Sequence, residues 1–307
     1  MYNIDNLDAR LKDYISANKD QLVTDAIFNS RSSKLFTLQT GVVNKTAIVR
    51  LDTSVQLADA SNCGFDATPG DSFSDRMLEP AFIKLNKEYC AKTFLNTWKA
   101  ADIRMGATKE HGGMPFEAQI LDQNIKAVGA ELEKMLWLGN KASGTGNLSL
   151  MDGIITKIDA EIASGVIPAS NVIAASGNLV ERVNTLWAAV KPNVADKVSI
   201  VMSVSNYKNY LLQLAETSNY HLIETYEGEY RMRLPFANVD ILGIEGLEGS
   251  NYILALDLAE VFYGVDYEND SEDVDIFYDK TDRTFKLIIE FAASVNYVIP
   301  ENVYINK

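Results

Sequence analysis

The longest periodic pattern in the chain begins at Phe116 and ends at Leu138. Its apolar residues recur at helical intervals and form one broad stripe, with charged residues on the other side. Pro115 suits the first turn of a helix because its missing N–H is not needed there. Gly139 is typical of the residue that follows a helix. The pattern predicts a helix of roughly 22 residues, a rod about 33 Å long at about 1.5 Å per residue.

Weaker helical patterns and β-rich runs divide the rest of the chain. Helices are predicted at 5–28, 154–163, 178–190 and 206–217, and strands at 35–38, 42–51, 197–203, 239–244, 252–257, 261–263, 275–278 and 284–298. Strand and helix alternate in the middle of the chain, whereas the last part is mostly strand. This order favours an α+β protein that contains a mixed α/β lobe.

Residues 52–80 have a different character, with successive turns and few apolar anchors. The following segment, 82–94, alternates imperfectly between apolar and polar side chains. We interpret it as an extended strand that is not buried in the core of its own subunit. A long extended arm needs a partner to cover it, because open strand edges otherwise aggregate.

Aromatic residues lie on or beside this extended segment, at Phe65, Phe73, Phe82 and Tyr89. Aromatic side chains are enriched at protein–protein interfaces. We therefore predict that these residues anchor an interface between subunits. Packing in the core of the same chain is the alternative interpretation, and the sequence leaves it open.

The composition is that of a folded globular protein, with 307 residues of which 47% are hydrophobic and 23% are charged. A chain of this length is more typical of two lobes than of one. No apolar run is long enough to span a bilayer, and the first residues do not resemble a secretory signal. We expect a protein made and folded in a cytoplasm, with no membrane partner. In that compartment Cys63 and Cys90 are expected as free thiols, and one disulfide between them is the alternative that the sequence leaves open.

The net charge of −14 arises from 42 acidic and 28 basic residues. An acidic surface repels phosphate groups, whereas a protein that binds nucleic acid directly presents a basic face. The charge therefore argues against sequence-specific DNA binding. It is compatible with a protein that encloses DNA, since enclosure needs no phosphate contacts.

The sequence offers little material for a catalytic or metal site. The two histidines, His111 and His221, have no zinc-binding or triad-like setting. The Gly144–Gly146 loop lacks the context of a dinucleotide fingerprint, and the acidic run 266–275 does not fit a calcium-binding loop. We predict that the protein is not an enzyme and has no catalytic residues, cofactor or metal.

The carboxyl-terminal runs 258–266, 274–279, 285–291 and 298–303 resemble the closing strands of the major capsid proteins of tailed bacteriophages. These proteins share the Hong Kong ninety-seven-like fold. The extended segment followed by one long helix is similar to the same family. The resemblance covers nearly the whole chain and lies in the order and character of its elements.

The resemblance implies a division of the chain into five parts. These are an N-terminal arm at 1–45, an extended loop at 46–100, a peripheral lobe with a long spine helix at 101–150, an axial α/β lobe at 151–260, and closing strands of the axial and peripheral lobes at 261–307. Some family members join a lysine of the loop to an asparagine of the peripheral lobe. Candidates are Lys84, Lys87, Lys92, Asn296 and Asn302, but no local motif matches, so this activity is not assigned.

The family also implies a structural function. Its members self-assemble into hexamers and pentamers that form the icosahedral head around double-stranded phage DNA, with each extended loop lying across a neighbouring subunit. The expected partners are further copies of the chain and portal and scaffolding proteins, and the DNA is enclosed without sequence-specific binding. The expected location is the virion capsid, after assembly in the bacterial host cytoplasm.

Other functions remain open at this stage. An encapsulin-like cellular nanocompartment would use the same fold to package an enzyme cargo. A phage tail or connector component would form rings or tubes. A soluble α/β hydrolytic enzyme with an unrecognised site would remain a small oligomer.

Overall fold

The computed structural model describes residues 30–53, 55, 57, 70–90, 116–216, 230–234, 237–266, 274–282 and 284–307. At 116–120, 122 and 274 it describes the backbone alone. The predicted helix at 5–28 lies outside the described residues, as do Phe65, Cys63, both histidines and most of the acidic run 266–275.

The described helices are α1 (Phe116–Leu138), α2 (Ile154–Ser164), α3 (Leu179–Ala189) and α4 (Val204–Glu216). The predicted bounds of α1 are confirmed. A capping box begins α3, where the Asn178 side chain accepts a hydrogen bond from Glu181 N at 2.9 Å and Glu181 accepts one from Asn178 N. A glycine with φ 77° ends α2, at Gly165, where a left-handed residue is needed.

The strands are assigned in chain order. They are β1 (Thr37–Gln39), β2 (Thr46–Asp52), β3 (Ser72–Leu78), β4 (Ala81–Cys90), β5 (Val172–Ile173), β6 (Ser199–Ser203), β7 (Arg231–Arg233), β8 (Asp240–Ile244), β9 (Ile253–Leu256), β10 (Val261–Val265), β11 (Val274–Asp279), β12 (Thr284–Tyr297) and β13 (Tyr304–Asn306).

A six-stranded sheet in the order β5-β13-β9-β6-β8-β7 forms the centre of one lobe. Its four central strands are buried on both faces, as β6 illustrates. Ile200 and Met202 pack with α3 and α4 on one side, whereas Val201 packs with α1 and α2 on the other. The result is a sheet between two layers of helices, and this lobe confirms the predicted mixed α/β character.

A five-stranded sheet forms the centre of the other lobe. Its axis is β12, which pairs antiparallel with β4, β10 and β11, while β1 pairs parallel with β10. The buried side of this sheet and the apolar stripe of α1 belong to one continuous hydrophobic core, which extends to the six-stranded sheet. The long helix therefore connects the two lobes through shared packing.

The segment just before β1 is held against α1 by a buried carboxylate. Glu133 accepts hydrogen bonds from Ser32 N at 3.0 Å and from Ser32 Oγ at 2.5 Å, and Trp137 Nε1 donates to the same hydroxyl oxygen at 2.7 Å. Burial raises the pKa of Glu133, although the serine hydrogen bonds oppose that effect. Phe36 packs against the Trp137 ring at 5.6 Å. This cluster anchors the chain at the point where the described residues begin.

One interpretation of the sequence is wrong in part. Segment 82–94 was expected to be an extended strand outside the core of its own subunit, but β4 pairs with β12 along its whole length. Ala81 and Ile83 are buried, and Leu85 and Tyr89 pack against the core. The expectation of turns throughout 52–80 is also wrong, since β3 occupies Ser72–Leu78 and pairs with β2. The short strands β5, β7 and β13 were not predicted, since two or three residues show no periodicity. The division of the chain into five parts remains a prediction.

Candidate assembly surface

Strands β2 and β3 form an antiparallel hairpin that, within the described residues, pairs with no other strand. Directly opposite residues point to the same face of such a hairpin. The register places Leu51 opposite Phe73, Val49 opposite Asp75 and Ala47 opposite Met77. We call the surface made by these residues the outer face, and the opposite side of the hairpin the inner face.

The outer face is apolar and exposed, apart from one carboxylate. Phe73 is 74% exposed, Val49 64% and Leu51 53%. Beyond the end of β2, Val55 and Leu57 are also highly exposed. Contiguous apolar patches on a folded protein usually mark a surface that binds another molecule. The outer face is therefore the strongest candidate for an interaction surface in the described part of the chain.

The inner face is held to the body of the subunit by polar contacts. Arg76 forms an ion pair with Glu161 of α2, and its guanidinium lies 4.6 Å from the centre of the Tyr297 ring. The Tyr297 hydroxyl donates to Glu161 Oε2 at 2.5 Å. Burial raises the pKa of this hydroxyl, and the bond to Glu161 raises it further. We call Arg76, Glu161 and Tyr297 the latch.

Two further sets of contacts hold the inner face, one made by Arg50 on β2 and one at the base of the hairpin. Arg50 reaches Glu301 at 2.9 Å and Asp52 at 2.5 Å. At the base of the hairpin, Asn296 Nδ2 donates to the carbonyl oxygen of Met77 at 2.8 Å. Asn296 was one of the candidates for a covalent cross-link, and here it is 7% exposed with its amide engaged in the hairpin.

The base of the hairpin enters the core at Leu78, which is fully buried. A Cβ at Gly264 would lie 3.2 Å from Leu78 Cδ1 and 2.3 Å from Ser294 Oγ, so a larger residue there would force neighbouring side chains to shift. Nearby, Lys157 donates to the carbonyl oxygen of Val295, and burial lowers its pKa to about 8. The hairpin thus has an apolar base, a polar inner face and an uncovered apolar outer face.

The four aromatic residues predicted to anchor an interface lie in different environments. Phe73 is on the outer face, and Phe82 is 75% exposed on β4. Tyr89 is partly buried against α1, where its hydroxyl accepts from Asn124 Nδ2 at 2.8 Å. Phe65 lies outside the described residues. The structure therefore places Phe73 beside Leu51 and Tyr89 against α1, and the role of the four residues as anchors remains a prediction.

Sequence reasoning missed most of this surface. Neither Val49 and Leu51 on the outer face nor Arg76 in the latch was singled out. A signal was present, because residues 46–52 read Thr-Ala-Ile-Val-Arg-Leu-Asp with polar residues at alternate positions near the end. That alternation indicates a two-faced strand, but it does not reveal which face the subunit itself covers.

Other kinds of site find no support in the described residues. No group of three or more histidine, cysteine, aspartate or glutamate side chains there is arranged to hold a metal ion. No helix in the same part of the chain is both long enough and apolar enough to cross a membrane. Cys90 is described as an exposed free thiol.

Known structures share this fold at low sequence identity. A chain of the satellite phage P4 procapsid with its size determination (Sid) protein superposes with a TM-score of 0.62 and 11% identity, covering 94% of this chain and 89% of that one. A structure from Microbacterium phage Oxtober96 gives a TM-score of 0.57 and 14% identity, with 91% and 90% covered. The SrpI encapsulin complex from Synechococcus elongatus gives 0.55 and 8%, with 89% and 85% covered.

Neither protein-family models nor curated proteins give a match to this sequence. The structural likeness extends over nearly the whole of each chain, and at such low identity it defines the fold. The predicted α+β fold class and the resemblance to phage capsid proteins are confirmed. The chain has the Hong Kong ninety-seven-like fold that is found in phage capsids and in encapsulin shells.

Proposed function

We propose that the chain is a structural subunit of a closed protein shell built from many copies of itself. The observation that carries the proposal is the outer face of the hairpin, an exposed apolar surface on a subunit that has a capsid-like fold. Apolar surface exposed to this extent favours association, because burying it removes it from water. A neighbouring subunit is the partner that a shell would supply at every hairpin.

The hairpin is well suited to bridging two subunits. Its inner face is fixed to its own subunit by the latch and by Arg50, so the outer face is presented in a defined orientation. A binding element that is already ordered loses less conformational entropy on association. In the proposed shell, each hairpin lies across the adjacent subunit and covers its own apolar face there.

The specific shell that we propose is the icosahedral head of a tailed phage. Its hexamers and pentamers of this chain would enclose double-stranded DNA, with portal and scaffolding proteins as further partners, after assembly in the cytoplasm of a bacterial host. The net charge of −14 supports enclosure without direct binding, since an acidic subunit does not neutralise phosphate groups. The protein's role would be structural rather than enzymatic.

An encapsulin-like nanocompartment is the second candidate. The observation that favours it is the superposition on the SrpI encapsulin, which covers 89% of this chain with a TM-score close to those of the phage structures. An encapsulin shell would contain a protein cargo, whereas a phage head would contain DNA and have a portal vertex with a tail.

Size-exclusion chromatography and electron microscopy of the purified chain test the shell function. We expect closed particles, or rings of five and six subunits, that contain this chain alone. A chain that stays monomeric at high concentration contradicts the proposal, a small oligomer favours the hydrolytic enzyme, and open tubes favour a tail component.

Particles isolated from the native source distinguish the two shells. A tail vertex and packaged DNA support the phage head, whereas a uniform shell filled with one protein supports the nanocompartment. Intact particles are treated with nuclease, and the nucleic acid that the shell protects is then measured beside the proteins that mass spectrometry identifies in the same sample.

A further inference from the structure

A cleft opens between α1 and the five-stranded sheet. Its volume is about 240 Å³, and its floor is apolar, with Ile83, Val128, Met135 and Phe291 among the lining residues. A cavity of about 150 Å³ is large enough to hold benzene. The cleft therefore has room for the ring of one phenylalanine side chain.

The polar residues at the cleft carry an unbalanced positive charge. Glu131 is already engaged, since it accepts from Lys134 at 2.7 Å and from Asn147 at 3.0 Å. Lys84 lies opposite Glu290 in the strand register, whereas Lys87 lies opposite Leu287. Within the described residues Lys87 forms no ion pair. It is an exposed charge beside an apolar opening.

The outer face of the hairpin has the complementary arrangement. Phe73 and Asp75 are two residues apart on one strand, so they point to the same side about 7 Å from each other. Asp75 is exposed and, within the described residues, its side chain forms no ion pair or hydrogen bond. It is the one charge on an otherwise apolar surface. The hairpin thus presents an exposed aromatic ring, Phe73, beside a carboxylate, Asp75. The cleft presents an apolar cavity beside an ammonium group, Lys87.

One copy of the chain does not bring these two surfaces together. The latch holds the inner face of the hairpin against α2 and β12, and Phe73 remains 74% exposed. A second copy would supply the missing surface. Because every subunit has both surfaces, such a contact would repeat from subunit to subunit and would form a ring when the rotation closes.

We propose that Phe73 of one copy inserts into the α1–β4 cleft of a second copy, where Asp75 forms an ion pair with Lys87. This inference rests on the proposed shell function and names the surface that receives the hairpin. The apolar ring supplies the burial. The ion pair sets the position of the hairpin along the cleft and disfavours contacts in another register, since like charges brought together cost binding energy.

Charge reversal in two separate copies tests the contact. Asp75→Lys and Lys87→Glu each place like charges together, so we expect the concentration needed for assembly to rise at least about tenfold for each variant alone. An equimolar mixture of the two variants should form rings of six again. In an alternating ring of six, each reversed hairpin meets a reversed cleft and each native hairpin meets a native cleft, whereas a ring of five cannot alternate. The Asp75→Lys/Lys87→Glu double variant should likewise recover.

A matched control uses Lys191→Glu, which reverses an exposed lysine after α3 and outside the cleft. The Asp75→Lys/Lys191→Glu double variant has the same net charge as Asp75→Lys/Lys87→Glu but no complementary cleft, so its assembly should not recover. Sedimentation velocity measures assembly in every sample, and thermal unfolding checks that each variant is folded.

The possible results separate this inference from the shell function. Equal assembly of wild type and Asp75→Lys overturns the contact but leaves the shell function standing. Equal recovery of the two double variants, with Lys87→Glu and with Lys191→Glu, also overturns it and favours another occupant of the cleft, such as residues 1–29 of the chain or a scaffolding protein. A wild-type chain that never assembles overturns both proposals.

Discussion

The six-stranded sheet and the β2–β3 hairpin differ in how far their own chain buries their apolar side chains. Ile200 and Val201 point to opposite faces of the sheet, and helices of the same chain cover both faces. Ile48 and Val49 also point to opposite faces of a strand, but Val49 is left 64% exposed. Both faces of the sheet are buried within one subunit, whereas the outer face of the hairpin is apolar and exposed. Stability and assembly should therefore depend on different residues.

The largest expected effect separates assembly from stability at the outer face. Replacing Leu51 and Phe73 by serine should abolish particles, because it removes apolar surface available to a neighbour. The free energy of unfolding of the isolated subunit should change by no more than about 0.5 kcal/mol, as for other exposed positions. Electron microscopy and chemical denaturation measure the two quantities. A clear loss of stability would mean that the subunit itself covers this face.

The converse change in the core should destabilise the subunit itself. Trp137→Ala removes a fully buried ring and the hydrogen bond to Ser32, and we expect a loss of about 3–5 kcal/mol. Thermal unfolding of the subunit should detect this loss directly. Phe73→Ala is the matched control, since it removes an aromatic ring from an exposed position. Similar losses for the two variants would contradict the distinction between core and outer face.

The latch should have an intermediate effect that is confined to the hairpin. Glu161→Gln removes the charge that pairs with Arg76 at a site where both side chains are less than 20% exposed, at 18% and 17%. We expect a cost of about 1–3 kcal/mol, because a partly buried guanidinium loses its counter-charge. Hydrogen exchange of the amides at 72–78 should become faster, while exchange in β6 should not change.

Glu301→Gln provides the comparison for the latch. Glu301 is 50% exposed, and an ion pair at such a position contributes less than about 1 kcal/mol. The hairpin amides should therefore respond less than they do to Glu161→Gln. An equal response to both changes would show that the hairpin is held by general electrostatics and not by the buried latch.

The smallest expected effect depends on pH. Burial lowers the pKa of Lys157 to about 8 in the folded chain, from 10.5. Between these values the unfolded chain binds more protons, so this residue makes the folded state more stable as the pH rises from about 8 to 10.5. Below about pH 8 its contribution is constant and unfavourable.

Comparison with Lys157→Met isolates this contribution, since other titrating groups are common to both chains. The free energy of unfolding of the wild type minus that of the variant should increase as the pH rises from about 8 to 10.5. Denaturant titrations at several pH values measure the difference. A difference that does not vary over this interval would show that the amine is solvated when folded.

Several elements could be predicted because their signals are local. The bounds of α1 follow from one apolar stripe with Pro115 before it and Gly139 after it. In β4, by contrast, polar residues on the solvent side obscured the pattern, and its burial depends on β12, about two hundred residues later in the chain. The latch could not be predicted either, since Arg76, Glu161 and Tyr297 are far apart in sequence and nothing local distinguishes them from other polar residues.

The sequence by itself indicated most of the longer helices and strands, the bounds of the long helix and the excess of acidic residues. These follow from periodicity, composition and turn residues, which act over a few neighbouring positions. Periodicity shows that a strand has an apolar face, but it does not show which part of the molecule covers that face. The tertiary structure decided this question: it placed β4 within its own subunit's core and left the outer face of the β2–β3 hairpin exposed, with the latch holding the other side.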